Sequence, residues 1–164
     1  MKSTKHSELQ TIGRGYLLQK NYWICGEEVP MPRGICDVWG MSRCNNYETM
    51  AIEVKISRPD FRSRSQQGKE FGSDLANYHY ILCPAGLIQP EEVHEKWGLL
   101  WEVNGKIKNK KKSPFIEITA EDKLKVLIYF LNNGQNKNRP RFPNNVIEVP
   151  LQENLLEVLA PPVT

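Results

Sequence analysis

A chain of 164 residues, 40% hydrophobic and 25% charged, carries enough apolar material for one core but not for two independent ones. Its longest unbroken apolar run, residues 126–131, falls far short of the roughly 18 residues a membrane helix needs. The 22 Lys and Arg against 19 Asp and Glu leave a formal charge of +3, too small to imply a polyanionic partner on its own. No apolar stretch follows Met1-Lys2-Ser3-Thr4-Lys5-His6, so no secretory signal is visible and a cytoplasmic location without membrane contact is expected.

In chain order, Leu9, Ile12, Tyr16 and Leu17 recur at helical spacing behind Ser3 or Thr4 as a cap, which predicts a helix over 3–20. Gly13 and Gly15 inside it would let a sheet approach closely. A first strand starts at Tyr22-Trp23-Ile24-Cys25 and runs to Val29, where Pro30 and Pro32 stop it. A second strand covers 35–41, and Ser42-Arg43-Cys44-Asn45-Asn46 has turn chemistry. A third covers 48–56. Ser57 and Pro59 open a mostly polar helix over about 59–77. Tyr78 to Cys83 is a fourth strand ended by Pro84, and a short helix near 90–96 leads to a fifth strand at 98–103.

Asn104-Gly105 is a strong hairpin signal, so 106–108 should pair back as an exposed strand. Residues 120–132 form another helix, with Leu124, Leu127, Ile128 and Leu131 as its apolar stripe and Tyr129-Phe130 in its core. Residues 133–164 read as a loop-rich extension of a domain spanning 1–132, whose basic hairpin lies at about 98–112. Strand runs joined by a helical crossover predict an α+β fold, a mixed sheet covered by helices.

Two strands carry residues that strands do not ordinarily bury. Asp37 lies inside Gly34-Ile-Cys-Asp-Val-Trp39, and Glu53 and Lys55 lie inside Met50-Ala-Ile-Glu-Val-Lys-Ile-Ser57. An unpaired buried charge costs several kcal/mol, so such groups serve each other, a metal or a ligand. Residues i and i+2 of a strand share a face, which sets Glu53 beside Lys55, and a hairpin would bring Asp37 alongside. Two carboxylates and an ammonium converging on a sheet suit a divalent cation and a phosphate. The plain alternative is an internal salt-bridge cluster, but two carboxylates sharing one lysine leave a negative surplus that a cation would relieve.

An Asp on the second strand followed by Glu-x-Lys on the third, in an αβββαβ order, resembles the PD-(D/E)xK nuclease superfamily. The run Glu53-Val-Lys-Ile-Ser-Arg-Pro-Asp-Phe61, with Tyr78-His-Tyr-Ile-Leu-Cys-Pro-Ala-Gly-Leu-Ile88 after it, is similar to the MmcB-like DNA-repair group and related phage and bacterial proteins. The resemblance covers about residues 5–108. The place of the motif's proline is taken by Gly34 or Ile35, and the family's occasional Gln-x-x-x-Tyr pair is missing, since Phe71 follows Gln67.

The resemblance implies a restriction-endonuclease-like core and a metal-dependent DNA nuclease acting in repair, recombination or phage DNA processing. Asp37 and Glu53, with the Val54 carbonyl, would hold Mg²⁺ or Mn²⁺, and Lys55 would orient or deprotonate the attacking water. Glu8 on the first helix would be an outer-shell acid. Many family members pair to cut two strands, so a homodimer is also implied. The alternative function is a catalytically silent nucleic-acid-binding or structural subunit of the same fold.

Phosphate contacts are expected from Ser57 and Arg58 at the second helix start, where backbone amides favour anions. Lys69 on that helix is a further candidate. Lys106, Lys108, Lys110 and Lys111 would form a clamp whose affinity for DNA falls with salt. Asp60 can equally complement its helix dipole. His79 and His94 read as structural, and Trp23, Trp39, Trp97 and Trp101 as core. The four cysteines form no CxxC pair, and Cys25, Cys36 and Cys83 read as buried free thiols.

Overall fold

The computed structural model describes residues 4–31, 34–65 and 75–133. They build α1 (Thr4–Gln19), β1 (Ile24–Met31), β2 (Gly34–Met41), β3 (Thr49–Val54), α2 (Arg58–Ser65), β4 (Tyr78–Pro84), β5 (Gly98–Val103), β6 (Lys106–Lys111) and α3 (Ala120–Asn133). The strands form one six-stranded mixed sheet in sequence order, flanked by helices. β1, β2 and β3 form an antiparallel meander, β3, β4 and β5 run parallel, and β6 folds back antiparallel. Among the described residues no helix is long and apolar enough to cross a membrane.

Period-2 burial sorts each strand's side chains onto two faces. On one face α1 lays Leu9 and Leu17 against Val38, Met50, Ile52, Val54, Leu82 and Leu100. Gly13 makes that approach possible. A Cβ there would stand 3.2 Å from Leu82 and 3.3 Å from Val38, whereas at Gly15 nothing lies within 4 Å. Leu17 is wholly buried, and truncating such a residue to alanine costs ~2–5 kcal/mol.

The opposite face carries two clusters. Val126 and Phe130 of α3 pack near Trp39, Met41 and Ala51. Phe61 of α2 packs on Ile81, Cys83 and Leu99, together with Ile88, Val93 and Trp97 from the connection between β4 and β5.

The hairpin at Asn104-Gly105 forms as expected, both residues having positive φ (50° and 75°), the conformation that favours Gly at the second position. Its strand β6 runs to Lys111, further than expected, past a register shift opposite Leu99 and Leu100. Asn77, which no motif marked, ties three segments together. Its side-chain oxygen accepts from the Thr49 backbone at 2.9 Å and its amide donates to the Ile116 carbonyl at 2.9 Å.

Three expectations are corrected. The second helix does not reach residue 77, because Leu75 lies in a turn and Ala76 and Asn77 lead straight into β4. Three of the four residues of the apolar stripe expected on α3 face outward: Leu124, Ile128 and Leu131 are 55%, 47% and 47% exposed, while Leu127 is half-buried, because Trp39 receives the Val126–Phe130 side instead. Trp23 is not core. It is 59% exposed and lies under the Arg43 guanidinium, a cation–π contact. Residues 134–164, expected as an extension, lie outside the described residues.

Candidate active site

Pairing between β2 and β3 ends at Val38 opposite Ile52. One residue further along, the Asp37 side chain replaces the ladder, with Oδ2 accepting the Val54 N–H at 2.8 Å. A strand's N–H points in the plane of the sheet, so this carboxylate lies in the seam between the strands rather than above one face. Continuing the register by one step places Glu53 across from Asp37. The Val54 carbonyl points to the same edge of its strand as its N–H, hence into the same seam. Asp37, Glu53 and Lys55 are 9%, 3% and 3% exposed. The sheet register therefore sets Asp37 across from Glu53, with Lys55 two residues further along the same segment.

Lys55 sits one residue past β3, its N–H still bonded to the Leu82 carbonyl at 2.9 Å. Its ammonium lies 3.8 Å from a carboxylate oxygen of Asp60. That carboxylate belongs to the first turn of α2, and Ser57 caps this turn by accepting the Asp60 N–H at 3.3 Å. The cap thus sets the position of the acid that faces Lys55. The Arg58 guanidinium donates to Glu92 at 2.6 Å and to the Leu87 carbonyl at 3.1 Å. It ties α2 to the β4–β5 connection rather than standing ready for a phosphate, and the ion pair holds the Glu92 carboxyl below its usual range.

The helix contribution differs from the expected one. Glu8 is exposed, and at 100° per residue it faces away from the side of α1 that carries His6 and Gln10. Those two reach Asp37 instead. Gln10, 2% exposed, donates Nε2 to Asp37 Oδ1 at 3.3 Å and to its main-chain oxygen at 3.4 Å. His6 Nε2 lies 3.4 Å from Oδ1. A signal for both was present in the sequence: His6 and Gln10 share the helical face of Leu9, Gly13 and Leu17, and a polar residue on a buried stripe needs a partner.

The basic hairpin divides. Lys106, Lys108 and Lys110 are exposed, and the Lys110 ammonium stands 4.7 Å over the Trp101 ring. Lys111 instead donates to the carbonyls of Val93 and His94, pinning the β4–β5 connection. Lys108 pairs with Trp101, which pairs with Cys83, the position beside Lys55. The two lysines occupy one row, separated by three strand spacings, about 14 Å. Lys69 lies outside the described residues. His79 is 3% exposed and packs on Trp97, ring centroids 5.1 Å apart.

Burial in the seam also shows in Cys36. Its thiol is pushed well above its ordinary pKa, first by desolvation and then by the nearby charges of Glu53 and Asp37. Cys83 is raised to about 11 by burial. The described cysteines are all free thiols, with Cys36 and Cys83 buried, Cys25 half-buried and Cys44 exposed.

Among the described residues no three His, Cys, Asp or Glu side chains group closely enough to hold an ion by themselves. The oxygen set of Asp37, Glu53 and the Val54 carbonyl fits a hard cation that keeps several waters, as Mg²⁺ does, and not a soft metal needing a full protein cage.

The fold is similar to that of a protein of unknown function from Silicibacter pomeroyi, with a TM-score of 0.66 over 80% of this chain and 87% of that one, at 17% identity. No family model and no curated protein matches the chain.

Proposed function

We propose that this chain is a restriction-endonuclease-like, metal-dependent nuclease that hydrolyses phosphodiester bonds in DNA. The observation that carries the reading is the Asp37 carboxylate bonded to the backbone between Glu53 and Lys55, with all three residues at most 9% exposed. Two carboxylates and an ammonium gathered where strands part suit a divalent cation and a phosphate.

Asp37 and Glu53 would hold Mg²⁺ or Mn²⁺, with the Val54 carbonyl as a third oxygen. Such a cation supplies Lewis acidity to the phosphoryl oxygen and lowers the pKa of its own water. The Lys55 ammonium, steadied by Asp60, orients the attacking water and offsets the charge that builds on the phosphorane. Lys106, Lys108 and Lys110 bind the flanking phosphates, an interaction set by charge and independent of base sequence.

A catalytically silent DNA-binding subunit is the second reading. The observation on its side is that both Asp37 oxygens already meet protein donors, from Gln10 and Val54, with His6 Nε2 3.4 Å from Oδ1. Cleavage of supercoiled plasmid in Mg²⁺ or Mn²⁺ separates the two. Nicking or linearisation by the unsubstituted chain, lost in Asp37→Asn, supports the nuclease. Retention of plasmid by both proteins with no cleavage by either supports the silent subunit.

A further inference from the structure

We propose that Gln10 and His6, one turn apart on α1, are positioning residues that hold the Asp37 carboxylate ready for a divalent cation. This rests on the reading of Asp37 and Glu53 as a cation site. Gln10 is a polar side chain only 2% exposed on the face that carries Leu9, Gly13 and Leu17. An amide buried there destabilises the fold unless it is hydrogen-bonded, and its nitrogen bonds twice to one residue. By donating to Oδ1 and to the main-chain oxygen of Asp37 together, it fixes that side chain relative to its own backbone.

The Val54 N–H holds the other carboxylate oxygen from the far side of the seam. His6 brings its ring to the same oxygen, Oδ1. Its Nδ1 is buried with no hydrogen-bond partner among the described residues, so the ring's proton is best placed on Nε2, facing the carboxylate 3.4 Å away. Asp37 is thus held from three directions, by a helix on one side and a strand on the other. An outer set of hydrogen bonds of this kind orients a ligating carboxylate, and its loss typically lowers metal affinity by about ten- to hundredfold.

The test is calorimetric titration of the full chain with Mn²⁺, beside thermal melting in EDTA, for the unsubstituted protein, Gln10→Met and His6→Phe. Methionine keeps the length and helix preference of glutamine without its donor. Positioning predicts that Gln10→Met binds Mn²⁺ about ten- to hundredfold more weakly and His6→Phe about tenfold more weakly, each still melting in one cooperative transition. A purely structural contact would lower the melting temperature and leave affinity within twofold of the unsubstituted chain, and that result overturns the proposal. Should Gln10→Met not fold, His6→Phe decides by the same criterion. An unsubstituted chain that binds no Mn²⁺ sinks the cation reading, and this inference with it. Mn²⁺ binding that survives both substitutions sinks this inference alone.

Discussion

Two regions of one sheet carry charge in opposite ways. At the β2–β3 seam, Lys55 is 3% exposed and faces Asp60, while Asp37 meets Gln10, His6 and the Val54 N–H. On β6, three strands away, Lys106, Lys108 and Lys110 stand out in solvent on an edge strand. A buried charge is specified by each of its partners, so one substitution removes a defined role. Exposed charges act through their sum, so any one of them is nearly dispensable. Lysine is the same residue in both places, and only its surroundings differ.

The sharpest way to break that contrast is to change one lysine in each region. Lys55→Met should lower plasmid cleavage by about 10³-fold, the several kcal/mol expected for losing charge stabilisation at the reacting phosphate. Lys108→Met should lower it only a few-fold at low salt. Equal losses would mean that Lys55 serves binding alone.

Next in size is stability. Asp37→Ala removes the acceptor of the Val54 N–H and the Gln10 amide and should destabilise by about 1–3 kcal/mol, the cost of leaving buried donors unmade. Lys108→Ala should stay within about 0.5 kcal/mol. Urea midpoints compare the two, and an unshifted midpoint for Asp37→Ala would mean that water replaces the seam's bonds.

Smaller still is the salt response of the hairpin. Replacing Lys106, Lys108 and Lys110 by alanine should reduce the slope of log affinity for duplex DNA against log salt by roughly one unit per lost contact. An unchanged slope would retire the hairpin as a DNA contact.

The smallest expected effect is acidic. The Glu92 carboxyl is held below its ordinary pKa of 4.5 first by the hydrogen bond from Arg58. A depressed carboxyl contributes stability above its unfolded pKa and loses it as pH falls through the folded value. The difference in melting temperature between the unsubstituted chain and Arg58→Met should therefore shrink as pH drops from 6 towards 3. A constant difference would place Arg58's contribution in its bond to the Leu87 carbonyl.

Much of this architecture was legible beforehand because local chemistry was consistent with the global pattern. Strand-like runs between Pro, Gly and Asn clusters predicted the first five strands, Ser57 predicted the α2 cap, and Asn104-Gly105 predicted the hairpin turn and with it the sixth strand. Asp37, Glu53 and Lys55 stood out because charge in an apolar strand is conspicuous. The polar residue expected to serve the site from α1 was placed by residue type and not by helical phase, and so fell on Glu8, whereas the buried Gln10 is the one that reaches Asp37. On α3 both sides are apolar, since Val126 and Phe130 compete with Leu124, Ile128 and Leu131, and periodicity does not rank two stripes.

The order of residues settles which segments extend, which coil and where charge is forced inside, because those depend on neighbours a few positions away. It is silent on partnership. Whether a carboxylate caps a backbone amide across a seam, which stripe of a helix meets Trp39, and whether an arginine serves a glutamate or a phosphate depend on groups tens of residues apart in sequence. Such choices follow from how whole elements pack, since close-packed interiors admit one arrangement and exclude its near alternatives.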